Sequence, residues 1–148
     1  MSQFYLSVKS SIDKIAIDIA TSLSVAAVEI DDVTNVEAAL QSPDDLVMFQ
    51  LVDMQPEPDD PLYSLQFEIG VKTTSDSSNY DLAALLSSVQ DVVAMGETFY
   101  VRDYSSVTPP TVDQGYIYIT GVQTDPQAFD GASGIRMQSV YAKVVRYH

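Results

Sequence analysis

Between residues 62 and 72 the chain alternates strictly. Tyr63, Leu65, Phe67, Ile69 and Val71 interleave with Ser64, Gln66, Glu68, Gly70 and Lys72. A period of two puts the first set on one face of an extended backbone and the second on the other, which predicts a half-buried β-strand. Just before it lies Asp53-Met54-Gln55-Pro56-Glu57-Pro58-Asp59-Asp60-Pro61. Its three prolines and four acids suit neither a helix interior nor a central strand, so an exposed turn is expected there. Residues 46–52, ahead of that turn, form a nearly continuous apolar run of strand length, as expected for a strand covered on both faces. The two runs and the turn predict a long hairpin.

Two segments follow a helical period instead. Val8, Ile12, Ile15, Ala16, Ile19 and Leu23 recur at steps of three and four, with Lys9, Asp13, Lys14 and Asp18 between them. This predicts an amphipathic helix over residues 8–23, and Ile17, off that stripe, suggests a second buried surface. Leu82, Leu85, Leu86, Val89, Val92 and Val93 predict a second helix. Ser78 and Asp81 have capping-box spacing at its start, and Gly96 is placed to stop it.

The remainder reads as shorter pieces. Residues 25–30 form a short β-branched run, 36–40 a possible helical turn, and 98–104, 115–122 and 136–147 three further strands separated by Pro109-Pro110 and a loop over 124–134. The fold class expected is therefore α+β, a single domain over residues 1–148 in which two amphipathic helices pack on a mostly antiparallel sheet.

Composition removes several kinds of chemistry. Without cysteine the chain has no disulfide, thiolate metal site or cysteine nucleophile. Its one histidine is His148, the last residue of the sequence, a poor place for a general base that must be held still. No glycine-rich phosphate cradle occurs. Asp53, Glu57, Asp59 and Asp60 could supply oxygen ligands to a cation but lack the spacing of a calcium loop, so they read as an acidic hairpin arm. Carboxylate pairs are plentiful, as in any acidic chain, and no motif singles one out as a catalytic dyad. No cofactor and no metal are expected. The N-terminal residues do not read as a signal peptide and no apolar run is long enough to span a membrane, so a soluble, cytoplasmically made protein without a membrane partner is expected.

A formal net charge of −14, from 21 acids and seven bases, repels nucleic acid. Tyr116, Tyr118, Tyr141 and Tyr147 would suit base stacking, but stacking modules also need a basic groove. Three of the seven bases, Arg136, Lys143 and Arg146, lie in the C-terminal strand, whereas the first half is overwhelmingly acidic. That polarity predicts self-assembly, the basic strand of one copy meeting acidic surface on the next, with contacts that weaken as salt is added. The chain is expected to act by assembling and not by catalysis.

In its order of elements the chain resembles the tail terminator, or tail-completion, proteins of long-tailed bacteriophages. The likeness runs from the 8–23 helix through residues 46–71 and 82–93 to the strand at 136–147; residues 25–45 and 124–134 have no counterpart in it. The resemblance implies a virion structural protein, located in the tail or neck. It implies a hexameric homo-oligomer ring that caps the tail tube, ends its growth and meets the tail tube protein and the neck or connector proteins in head-tail joining. DNA would pass through an acidic bore without specific binding. Another tail-tube or head-tail connector subunit, or a small-molecule-binding α+β domain, are the alternatives. A tube subunit would polymerise openly, and a binding domain would show a deep pocket with convergent polar groups.

Overall fold

The structure, a computed structural model, describes residues 3–30, 41, 44–59, 61–73, 80–105, 112–125, 128–130 and 133–147. The helical turn expected at 36–40, Ser78 of the capping box, and Asp60 and His148 lie outside these residues, as does the Asp81 side chain.

Helix α1 spans Gln3–Leu23 and begins five residues before the expected start. Phe4 accounts for the difference. It lies one turn upstream of Val8 on the same stripe and is buried, with its ring centroid 5.5 Å from that of Tyr63. Val8, Ile12, Ile15, Ala16, Ile19 and Ala20 complete the buried face, while Ile17, expected to mark a second buried surface, is exposed. Lys9 ties the helix to the next strand through Glu29 and also contacts Asp13. Partial burial lowers the Lys9 pKa, but the two carboxylates outweigh that and hold it above the usual lysine value.

The helix ends on Ser24, whose φ of 58° is left-handed. Ser24 N–H bonds to Thr21 O at 3.1 Å and Val25 N–H reaches back to Ala20 O at 2.9 Å. These two bonds satisfy carbonyls that a helix end leaves open, in a position usually given to glycine.

Strand β1, Ala26–Glu29, runs parallel to β2, Leu46–Pro56, with Ala26 opposite Leu46 and Glu29 opposite Phe49. Beyond Phe49 the outer side of β2 has no partner in the register with β1, so residues up to Pro56 can stay in the strand, proline being tolerated at an edge. The expected turn over 53–61 is therefore shorter than its composition implied. Asp53–Pro56 pair with Gln66–Tyr63 of β3, Leu62–Thr73, and the chain reverses through bonds from Glu57 N–H to Leu62 O and from Leu62 N–H to Asp59 O, both 2.9 Å. A bulge between Leu51 and Asp53 leaves Val52 as an extra, exposed residue and returns Met54 to the core side.

Helix α2, Tyr80–Val92, buries Leu82, Leu86 and Val89, with Val93 just beyond, leaves Leu85 half-buried and turns Val92 outward. Gly96 does not cap it. With φ at 93° and Glu97 N–H bonded to Ala94 O at 3.1 Å, Gly96 is the third residue of a tight turn that leads into β4, Thr98–Val101. β5 spans Gly115–Thr124 and β7 spans Ser133–Arg146; the expected loop between them contains a further short strand, β6, Ala128–Asp130.

The order across the sheet is β1-β2-β3-β7-β5-β4, with β6 also on β7. Every pairing but β1 with β2 is antiparallel, so the fold is α+β with a mixed, mostly antiparallel sheet. One face of the sheet, carrying Val47, Phe49, Leu65, Phe67, Ile69, Val71, Ile117, Ile119, Val140, Ala142 and Val144, forms a single core with the stripes of α1 and α2. On the other face, Leu46 and Met48 pack with Val28, Ile30, Ile135 and Met137. Gly70 sits in register between Met48 and Met137, where a Cβ would come within 2.3 Å of Arg136 O.

Two buried serines of α1 are satisfied through backbone. Ser7 Oγ lies 3.2 Å from Gln3 O, and Ser11 Oγ accepts from Arg102 N–H at 3.1 Å while lying 2.8 Å from Ser7 O. Ser10 Oγ accepts from Tyr104 N–H at 3.1 Å. The segment after β4 is thus fastened to the helix by hydroxyl groups.

Two outcomes are expected in urea unfolding. Ser24→Gly removes the steric penalty of a left-handed residue bearing a Cβ, partly offset by the greater freedom glycine brings to the unfolded chain, so stability should rise by about 0.5–1 kcal/mol. Ser11→Ala leaves the Arg102 amide without that partner in a part-buried place and should cost about 1 kcal/mol.

Candidate assembly surface

The helix-free face of the sheet is uneven. Its β1–β2 end is closed by the Leu46 and Met48 cluster, whereas its β5–β7 end presents tyrosines. The register explains why they gather. Tyr116 of β5 lies beside Val145 of β7 and Leu62 of β3; Tyr118 lies beside Lys143 and Ser64; Tyr141 lies beside Gln66 and, beyond it, Asp53. Cross-strand neighbours share a face, and the residues between them, Ile117, Ile119, Ala142 and Val144, are buried against the helices. Tyr118 is 43% exposed, Tyr141 41% and Tyr147 46%. The Tyr147 ring tilts against Tyr116 with centroids 6.2 Å apart. A shallow cavity of about 210 Å³ lined by Asp53, Ser64, Leu65, Gln66 and Tyr141 adjoins them.

Charge is distributed just as unevenly. β4, β5 and β7 contain no acidic residue, although the whole chain has 21. Depletion of charge with enrichment of tyrosine is the compositional mark of the centre of a protein–protein contact.

The three basic residues singled out in the sequence do not form one patch. Strand geometry turns Lys143 to the tyrosine face and Arg136 and Arg146 to the helix side, and ten residues at about 3.3 Å each hold those two roughly 33 Å apart. Lys143 forms an ion pair with Glu57 at the β2–β3 turn. The Arg146 guanidinium lies 5.2 Å from the centroid of the Phe4 ring. Arg136, opposite Val71, is half-buried, its Nε without a hydrogen-bond partner, and the neighbouring Gln138 on the same face is fully buried with both amide atoms unpartnered.

The acidic arm is likewise divided. Asp53 belongs to β2 and accepts a hydrogen bond from Gln55 Nε2 at 2.9 Å, Glu57 is paired with Lys143, and Asp59 is an exposed turn residue. Among the described residues no group of three or more acids and histidines is placed to hold a metal ion.

A second concavity, about 360 Å³, lies between α1 and β4, with Ile15, Ile19, Phe99 and Tyr104 among its walls and Lys14 and Arg102 at its rim. Lys14 is held by Asp18 at 2.7 Å and Arg102 by Asp113. Hydrogen bonding to these carboxylates raises both pKa values above their ordinary positions, so neither group can serve as a base near neutral pH.

No protein-family model matches this sequence, and no curated protein aligns with it. Among the described residues no helix is long and apolar enough to cross a membrane.

The tyrosine face could be found in the sequence only in part. Tyr116 and Tyr118 visibly share one strand face; that Tyr141 joins them requires β5 and β7 to be neighbours. The acid-free composition of the last strands was the accessible signal.

Because the Lys143–Glu57 pair is largely solvated on the lysine side, Glu57→Gln should change stability by less than about 1 kcal/mol. Denaturant midpoints of the two proteins provide the measurement.

Proposed function

We propose that this chain is a virion structural protein that assembles with copies of itself into a ring at the head-proximal end of a phage tail, where it ends tube growth and joins the tail to the neck. The observation that carries the reading is the tyrosine surface on β5 and β7, strands that contain no acidic residue, in a molecule of net charge −14. Copies so charged repel one another over most of their surface, and a contact is affordable only where that charge is missing. The long β2–β3 hairpin and the two helices on one face of the sheet support the likeness to tail terminator proteins.

Under this reading the acidic remainder has a use as well. Carboxylates around a bore let a DNA duplex pass without sticking, because phosphate finds no counter-charge. A tube or connector subunit would use similar contacts but continue in an open array.

Sedimentation and negative-stain electron microscopy of the purified protein test the proposal together. A closed ring of fixed size, six copies being expected, supports it; an open filament points to a tube subunit, and a monomer at high concentration removes it.

A further inference from the structure

We draw no further inference here: the strongest candidate, the concavity of about 360 Å³ between α1 and β4, has its rim cations already matched, Lys14 by Asp18 and Arg102 by Asp113, and nothing in the structure shows what covers its apolar wall.

Discussion

The arrangement of the molecule depends on β7, which lies between β3 and β5 and has its side chains divided between two environments by the pleat. Val140, Ala142 and Val144 face the helices and are buried, while Tyr141 and Lys143, between them in sequence, face away. One strand thus supplies both the centre of the core and the centre of the opposite surface. A one-residue slip of β7 against β3 would exchange the two sets, placing Lys143 in the core and Val144 in water. The buried alternation fixes the register, and the register in turn brings Tyr116, Tyr118 and Tyr141 together. Core and surface are two readings of one constraint.

The helices answer to the same sheet. α1 reaches back to Phe4 because the β3 end bearing Tyr63 needs covering, and Arg146 closes over the same ring from the end of β7. Ser7 and Ser11 are polar residues on a buried stripe, tolerated because their hydroxyls find backbone partners. The groove beside β4 remains between these contacts, its two cations matched by carboxylates and held protonated.

Much of this was legible in the residues, and what was not has identifiable causes. The alternation at 63–71 and the stripes at 8–23 and 82–93 locate β3, α1 and α2 because burial on one face leaves a period that sequence displays. β2 was harder to delimit. Its bulge at Val52 breaks the period, and its last residues include a proline that only an edge position makes acceptable, a fact that depends on how short β1 is. Gly96 was recognised as a special position but assigned to a helix end, since a positive φ serves a cap and a tight turn equally well. Arg136, Lys143 and Arg146 are divided between two faces for a simpler reason: nearness along a strand is not nearness on a face. The tyrosine surface depends on the pairing of β5 with β7, which no local pattern encodes.

The serine contacts at Arg102 have a consequence for how copies of this chain can accumulate. β1 and β4, the two outermost strands, are only four residues long. Past the end of β4, the Arg102 amide is already taken by Ser11 Oγ, and the Tyr104 amide by Ser10 Oγ. A neighbouring strand seeking to extend the sheet there would meet a helix instead of a row of open amides. At this edge the chain is poorly suited to growing by cross-β stacking, a process with no natural stopping point.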